Sequence, residues 1–246
     1  RNFTDTPLRT FSLTFEDAEF DESAFQQEMV DFLGTSHTSL RCTRADIAAA
    51  FPRTIFHTET PIVRTAPAPL MLLAGHVRSS GYKVVLTGEG ADEVFGGYDI
   101  FKEAKIRRFW ARSPDSAMRP RILERLYPYL KHSPASGRAF SRAFFKEGME
   151  HVDQPYFAHI PRWRTTRRIG QFFSPQVRES AGDWDPHAAI LATLPPGINR
   201  WVPIGRDQYV EAHTLITGYL LCSQVDRVAM ANSIEGRFPF LDHRVI

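Results

Sequence analysis

The chain has 246 residues, of which 43% are hydrophobic and 24% charged, and its formal net charge is +2 at pH 7. This composition is that of a globular protein large enough for a full core, and it excludes disordered and collagen-like chains. A charge so balanced predicts no nucleic-acid or membrane-surface partner. The two cysteines, Cys42 and Cys222, have neither disulfide-framework nor zinc spacing, so we expect a cytoplasmic location.

The beginning of the chain, Arg1 to Thr10, has no apolar core of a signal peptide and no initiating methionine. We therefore expect the chain to be part of a longer protein. Its longest apolar run, about Pro67 to Ala74, is far shorter than the roughly 20 residues that a membrane-spanning helix needs. No membrane partner is expected.

Strand and helix patterns alternate through residues 8–98. Polar and apolar residues alternate from Thr10 to Phe15, which predicts a half-buried strand. A helix is predicted next, with Asp21 as its cap and Gly34 as its end. The apolar stripe of this helix consists of Phe25, Met29, Phe32 and Leu33.

The same alternation continues up to a glycine that ends a compact apolar strand. A strand is predicted at His37–Cys42, helices at 44–57 and 67–79, and a buried strand at Lys83–Thr87 that ends at Gly88. Strands that alternate with helices predict a parallel sheet with flanking helices. We expect the first and last of these strands to lie in that one sheet.

Strand patterns nearly vanish after Tyr98. Helices are predicted at 99–113, 117–131, 137–150 and 206–232, with polar or proline-containing loops between them. We therefore expect an α/β half over residues 1–98, followed by a mostly helical region over residues 99–246.

The segment Thr87–Tyr98, TGEGADEVFGGY, follows the buried strand and precedes a predicted helix. It lies at the carboxyl end of a strand, where open α/β folds bind their ligands. Gly88 and Gly90 permit close approach of the backbone, and free N–H groups at a helix start bind phosphate oxygens. Glu89 and Asp92 are three residues apart, so a helical turn points them the same way. Two carboxylates beside phosphates favour a Mg2+ ion between them.

A plain strand-to-helix turn, with acids placed to favour the helix dipole, is the alternative for this segment alone. The whole string, however, resembles the asparagine synthetase signature, Ser/Thr-Gly-Glu-Gly-Ala/Ser-Asp-Glu-Val/Leu-Phe-Gly-Gly-Tyr. A second block, Asp226–His243, is similar to the family's Asp-Arg-x-x-Met-Ala-x-Ser-x-Glu-x-Arg-x-Pro-Phe-Leu-Asp. A third match, Thr10–Leu13 followed by Leu33–His37, is placed like the strand whose end cradles adenine.

The resemblance covers residues 8–98 and about 215–246, and it identifies residues 1–246 as a partial asparagine synthetase domain. The fold that it implies is α/β of the adenine nucleotide alpha hydrolase-like, PP-loop ATPase type. The implied reaction uses ATP and Mg2+ to convert aspartate to asparagine through a β-aspartyl-AMP intermediate, with ammonia from glutamine. The implied partners are aspartate, ammonia and a glutaminase domain of the same parent chain, and a homodimer is one assembly that fits.

The resemblance also assigns roles to single residues. Four positions match those that line the family's ATP site: Ser12, Leu13, Thr87 and Gly88. Glu89 matches the catalytic glutamate required for adenylation, and Asp92 matches a residue that helps to hold Mg2+ on the pyrophosphate. Arg64 lies where the family recognises its amino-acid substrate and would pair with a carboxylate, although an ordinary surface arginine is the alternative. Tyr98 would shape the substrate side of the pocket.

Two family segments are not found in these residues: the pyrophosphate loop, Ser-Gly-Gly-x-Asp-Ser, and a lysine-containing segment after Pro-Phe-Leu-Asp. We therefore expect these residues alone to be inactive. Two other functions stay open. One is a related adenylating amide-forming enzyme, of the β-lactam synthetase or lasso-peptide cyclase type. The other is a degenerate, non-catalytic interaction domain, against which the intact Glu89 and Asp92 argue.

Overall fold

The computed structural model describes residues 6–16, 21–128, 134 and 136–246. The chain is mixed α/β and divides into two compact units, the first of Arg1–Glu89 with Leu215–Ile246 and the second of Gly90–Thr214. This grouping in space is distinct from the division at Tyr98 inferred from composition, which stays a prediction. The PP-loop ATPase type likewise stays a prediction.

The first unit begins with a parallel strand pair joined by a helix. Strand β1 (Arg9–Phe15) lies beside β2 (Ser36–Cys42), with Arg9 opposite Ser36 and Phe15 opposite Cys42. Helix α1 (Ser23–Leu33) makes the crossover that a parallel pair requires. Gly34 ends it in the left-handed conformation, at φ 58°, which glycine adopts without steric cost. The strands and the helix predicted here are confirmed, but the prediction of Asp21 as the cap is wrong. Glu22 occupies the cap position, and Asp21 instead accepts hydrogen bonds from the Phe15 N–H and the Ser23 hydroxyl.

The apolar stripe of α1 is largely exposed. Phe25 and Phe32 are 74% and 82% accessible, and α1 has no buried residue. The helix meets β1 partly through a polar contact, in which Gln26 Nε2 donates to the carbonyl of Leu13 at 3.2 Å. The periodicity of the apolar residues therefore predicted the helix correctly, but it did not predict that the apolar side would be exposed.

The first unit contains a second parallel pair, formed by strands far apart in sequence. Strand β3 (Val84–Leu86) pairs with β4 (Glu235–Arg237), with Val84 opposite Glu235. Our expectation of one sheet with β1 and β3 together is wrong for the described part of the chain, where each has its own partner. The partner of β3 is instead β4, a strand that sequence reasoning missed.

Two further helices lie in the first unit, of which α3 packs against β1 and β2, and α2 packs against α3. Helix α2 (Arg44–Thr58) begins with a capping box between Thr43 and Asp46, and α3 (Pro67–Ser79) begins with a proline. Both predicted helices are confirmed. The core of the unit is a cluster that α3 shares with the segment before β4, and side chains from β1 and β3 pack against it. Its members are Ala74, Val77, Ala229 and Ile234, with Phe11, Leu73 and Val85 at its border.

The second unit is helical. Its α-helices are α4 (Ala91–Phe95), α5 (Asp99–Ala111), α6 (Arg138–Lys146), α7 (Ile160–Arg167), α8 (Pro175–Ala181), α9 (Pro186–Thr193) and α10 (Pro203–Glu211). Short 3₁₀ helices occupy Arg119–Arg125, Met149–His151, Arg168–Phe172 and Ile198–Arg200, and a further one, Pro239–Leu241, follows β4 in the first unit. The helix predicted at 117–131 is therefore wrong over Arg119–Arg125, where Pro120 begins a tighter 3₁₀ turn.

Buried ion pairs fasten the helices of the second unit. Arg108 binds Asp207 through two bonds of 2.6 Å, and Arg162 binds Glu103 through bonds of 2.5 and 2.8 Å. Each is a bidentate guanidinium–carboxylate pair, the geometry that arginine forms best. Two basic residues of α5 and α7 are thus committed to internal pairs.

The long helix predicted at 206–232 is present but changes type along its length. It runs from α10 through a π-helix (Ala212–Asp226) into α11 (Arg227–Met230). A π-helix is wider than an α-helix and frequently marks a functional segment. No helix in the described ranges combines the length and the apolar character needed to cross a membrane.

Candidate active site

The end of β3 carries an unsatisfied hydroxyl. Thr87 follows β3, and its backbone N–H continues the ladder by donating to the carbonyl of Arg237 at 3.0 Å. Its side-chain Oγ1 is buried and has no hydrogen-bond partner among the residues that the structure describes. Because a buried polar atom without a partner costs about 1–3 kcal/mol, this position suits a ligand that supplies a hydrogen bond.

The next residue, Gly88, has open space beside its backbone. A Cβ atom built on Gly88 would meet no atom within 4 Å. The glycine therefore does not serve internal packing in the chain, and it leaves room for a ligand to approach the backbone. Thr87 and Gly88, which the resemblance assigned to the ATP site, are consistent with a nucleotide there.

The other two residues assigned to ATP lie in β1. The Ser12 hydroxyl is hydrogen-bonded to His37 Nε2 at 3.0 Å and donates to Ser39 Oγ at 3.3 Å. The carbonyl of Leu13 accepts from Gln26. These polar groups are used within the unit, so the structure leaves them less free for a ligand than Thr87.

Glu89 lies in a turn just before Gly90, whose φ of 92° caps the start of α4. Because α4 begins only at Ala91, Glu89 is outside the helix. The expectation that Glu89 and Asp92 share a helical turn is therefore wrong, and the left-handed glycine between them is the physical reason.

Asp92, in the second unit, lies directly against Gly97. The N–H of Gly97 donates to the carbonyl of Asp92 at 2.8 Å, and a Cβ on Gly97 would come within 2.1 Å of Asp92 Oδ1. No side chain fits at that distance, so glycine is required at position 97. The second glycine of the Gly-Gly pair thus fixes where the Asp92 carboxylate lies.

Sequence reasoning passed over Glu93, although it belongs to the same motif. Glu93 is only 3% exposed, and the Tyr98 hydroxyl donates to its Oε1 at 3.1 Å, while its Oε2 is buried without a partner. Burial raises the pKa of this carboxyl above its ordinary value. Tyr98, assigned to the substrate side of the pocket, therefore contacts Glu93 through its hydroxyl. Gln208 also donates to the carbonyls of Glu93 and Val94 at 2.9 Å.

Arg64 lies in the segment between α2 and α3, with its guanidinium 5.7 Å from the centre of the Tyr219 ring. Its side chain is exposed, and in the described ranges it forms no ion pair with a carboxylate. By contrast, Glu235 and Arg237 of β4, also in the matched motif, pair with each other at 2.7 Å. Arg64 therefore remains available for an anionic partner.

Within the described ranges, no three histidine, cysteine or acidic side chains are grouped closely enough to hold a metal ion. This does not argue against Mg2+, which is commonly held by one or two carboxylates together with substrate phosphates. The Asp92 carboxylate, which lies against Gly97, fits that mode of binding.

Comparison with known proteins agrees with the resemblance. The family model described as asparagine synthase matches residues 1–246. A putative glutamine-hydrolysing asparagine synthetase of Mycobacterium tuberculosis is 28% identical over 241 residues, which cover 97% of this chain and 34% of that protein. The amidase chyE of Penicillium rubens is 26% identical over 253 residues, 99% of the chain and 37% of that protein.

The glutamine-hydrolysing asparagine synthetase 1 of Bacillus subtilis is 26% identical over 237 residues, 96% of the chain and 35% of that protein. The chain thus spans about a third of the length of the curated relatives that it matches. Since the family model extends over the whole sequence, the chain belongs to the asparagine synthase family.

Proposed function

We propose that the protein to which these residues belong catalyses ATP-dependent amide synthesis, converting aspartate to asparagine with ammonia from glutamine. The observation that carries the proposal is the segment after β3, where the buried Thr87 hydroxyl has no partner among the described residues and the next residue, Gly88, has open space beside its backbone. That site lies within the matched motif of an asparagine synthase chain.

The proposed chemistry has two displacement steps. An oxygen of the aspartate side-chain carboxylate attacks the α-phosphorus of ATP, and pyrophosphate leaves with the electron pair of the broken P–O bond. Ammonia then attacks the acyl carbon of β-aspartyl-AMP, loses a proton, and AMP leaves with the electron pair of the acyl C–O bond. The products are asparagine, AMP and pyrophosphate.

Each named side chain has a part in this scheme. Thr87 and Gly88, with the backbone at Ser12 and Leu13, contact the nucleotide, and Glu89 acts in the adenylation step. Asp92 would hold Mg2+, which supplies positive charge to neutralise the departing pyrophosphate.

The substrate side completes the assignment. Arg64 binds a carboxylate of aspartate, since an exposed guanidinium without an internal ion pair suits a bidentate anionic partner. Tyr98 shapes the pocket by holding Glu93. Ammonia would come from a glutaminase domain of the same protein.

The direct test uses the intact protein with aspartate, ATP, Mg2+ and either ammonium or glutamine. Asparagine, AMP and pyrophosphate are expected in equal amounts, and omission of aspartate should stop pyrophosphate release. Formation of ADP and phosphate instead would contradict adenylation. Pyrophosphate release with ammonium but not with glutamine would support the synthetase reaction and contradict glutamine as the source of the ammonia.

A related amide-forming reaction with another acceptor is the second candidate. The observation that favours it is the relative named an amidase, which matches 99% of the chain at 26% identity. In this version an amine replaces ammonia as nucleophile, as in β-lactam synthetases and lasso-peptide cyclases. Pyrophosphate release that depends on a carboxylic acid other than aspartate would decide for this candidate.

The contact between Asp92 and Gly97 yields a prediction about Mg2+. Gly97→Ala places a methyl group where the Asp92 carboxylate lies, so the carboxylate must move. We expect the Mg2+ concentration for half-maximal pyrophosphate release to rise about tenfold, the scale seen when a residue that supports a metal ligand is changed. Asp92→Asn should raise it at least as much.

Gly170→Ala is the matched control for this variant, because a Cβ there meets no atom within 4 Å. Its Mg2+ requirement should equal that of the wild type. A Gly97→Ala protein that is folded and has an unchanged Mg2+ requirement would show that Asp92 is not the metal ligand.

A further inference from the structure

The segment that carries Arg64 is held in an unusual backbone conformation at its start. Glu59, the residue after α2, has φ 56° and ψ 0°, the left-handed region that residues other than glycine seldom adopt. Such a conformation persists when its surroundings hold it in place. The contacts of the neighbouring residues therefore indicate what fixes this segment.

Two residues of the long helical segment bind the start of this segment. Arg227 Nη1 donates to the carbonyl of Thr58 and, at 3.4 Å, to Thr60 Oγ1. Ser223 Oγ is hydrogen-bonded to Thr60 Oγ1 at 2.7 Å, and Ser223 is itself buried. The Arg227 guanidinium also lies 3.8 Å from the Glu59 carboxylate. The side chains of Ser223 and Arg227 thus contact Thr58, Glu59 and Thr60, which are the left-handed residue and its two neighbours.

The same surface reaches the far end of the segment. Tyr219 is four residues before Ser223, and its ring lies beneath the Arg64 guanidinium at 5.7 Å. The Tyr219 side chain is largely buried, and its hydroxyl lies close to the backbone of Arg64. The ring can therefore contribute its aromatic face to Arg64, as a cation–π contact.

We propose that Tyr219, Ser223 and Arg227 form a positioning surface for the segment 59–64, which fixes the direction in which Arg64 meets a substrate carboxylate. Ser223 and Arg227 set the path of the backbone, and Tyr219 sets the orientation of the guanidinium. This inference rests on the proposed function for the role of Arg64. It assigns a role in carboxylate recognition to three residues that the motif comparison left without one.

The physical reason is the cost of ordering a long side chain. A free arginine samples many rotamers, and a substrate must select one of them when it binds. An arginine already held on an aromatic face loses less freedom, so it binds a carboxylate more tightly. Loss of the positioning surface should therefore weaken the binding of the carboxylate substrate and leave the nucleotide steps unaffected.

The experiment compares variants of the intact protein in pyrophosphate release, with aspartate and ATP varied separately. Tyr219→Leu should raise the KM for aspartate about two- to fivefold, the range of one exposed cation–π contact. Ser223→Ala should raise it by a similar factor through one lost hydrogen bond. The KM for ATP should stay unchanged in both variants.

Tyr219→Phe keeps the aromatic face under Arg64, so its KM for aspartate should stay much closer to the wild-type value than that of Tyr219→Leu. In an Arg64→Gln background, where the KM for aspartate is already raised, Tyr219→Leu should have no further effect. Arg78→Gln, on the exposed side of α3, serves as the control for loss of one positive charge. Equal effects of Tyr219→Leu in the presence and absence of Arg64 would overturn the proposal.

Limited digestion with trypsin tests the positioning surface apart from the reaction, because cleavage after Arg64 reports how often the segment opens. Cleavage should be faster in Ser223→Ala than in the wild type. If the wild-type protein shows no aspartate-dependent activity, the proposed function is refuted. Faster cleavage of Ser223→Ala would in that case still support the positioning surface. Unchanged cleavage together with unchanged KM for aspartate would refute the positioning surface.

Discussion

Replacing Glu89 by glutamine is expected to lower the turnover of the intact enzyme about 10²-fold or more, with little effect on folding. That factor is the scale seen when one preorganised electrostatic group is removed from an active site. Glutamine keeps the size and most of the hydrogen bonding of glutamate, and it removes only the charge. Because Glu89 lies in a turn outside α4, the substitution does not disturb the start of that helix.

The measurement is aspartate-dependent pyrophosphate release at saturating ATP, with the KM for ATP determined in parallel. The KM for ATP should change much less than turnover, because Thr87 and Gly88 contact the nucleotide in the ground state. Glu28→Gln, which makes the same chemical change on the exposed part of α1, is the control. Unchanged turnover in a folded Glu89→Gln protein would leave Glu89 as an ordinary acid before a helix.

The elements that the sequence predicted well are those with strong local signals. Helix α1 ends at a glycine that adopts the left-handed conformation, and α2 begins at a Thr43–Asp46 capping box. Strand β1 has strict alternation over most of its length. Local signals of this kind depend on neighbours within a few residues, so they can be recognised without knowledge of the tertiary structure.

The elements that were missed depend on distant partners. Strand β4 is only Glu-Gly-Arg and has no apolar alternation, so its pairing with β3 arises from the tertiary structure. The change from α-helix to π-helix at Ala212 has no pattern in the sequence. Strands were predicted at the positions of β1, β2 and β3, but the single sheet was wrong. The prediction of β3 as a buried strand was also wrong, since Val84 and Leu86 are 49% and 74% exposed.

The candidate site likewise has features that the local sequence predicts and features that it does not. The glycines and acids of Thr87–Tyr98 could be recognised from order and spacing, but the burial of Glu93 and its bond to Tyr98 could not. The contact of Asp92 with Gly97 gives a physical reason for the second of the two consecutive glycines. The sequence alone shows this glycine only as part of a pattern. Motif reasoning therefore proposed the site residues, and the structure supplied the contacts that these residues make.

The largest loss of stability is expected from Arg107→Leu in the second unit. Arg107 is 1% exposed, and it donates to the carbonyls of Phe145, Glu147 and Phe157 at 2.7 to 3.0 Å. It also lies over the Phe157 ring at 4.1 Å. Burial lowers its pKa to about 10, partly offset by Glu103, so it is still a cation at neutral pH. Its removal leaves three carbonyls without these donors, and we expect a loss of about 3–5 kcal/mol in the free energy of unfolding.

Urea denaturation followed by tryptophan fluorescence measures this loss of stability in the second unit, which contains Arg107. All four tryptophans lie in the second unit, at Trp110, Trp163, Trp184 and Trp201. Arg119→Leu is the matched control, because Arg119 makes the same two kinds of contact nearer the surface. It donates to the Phe109 carbonyl at 2.7 Å and lies over the Phe109 ring at 4.6 Å.

Since water can replace the donor at the surface, Arg119→Leu should cost about 1 kcal/mol or less. Arg107→Lys should lose most of the stability that Arg107→Leu loses, because an ammonium group cannot reach three carbonyls that diverge around a planar guanidinium. Equal midpoints for Arg107→Leu and Arg119→Leu would show that the desolvation of the buried cation offsets its three hydrogen bonds. In that case the role of Arg107 would be to set the geometry of the helices around it, and the energy of the unit would come from its apolar clusters.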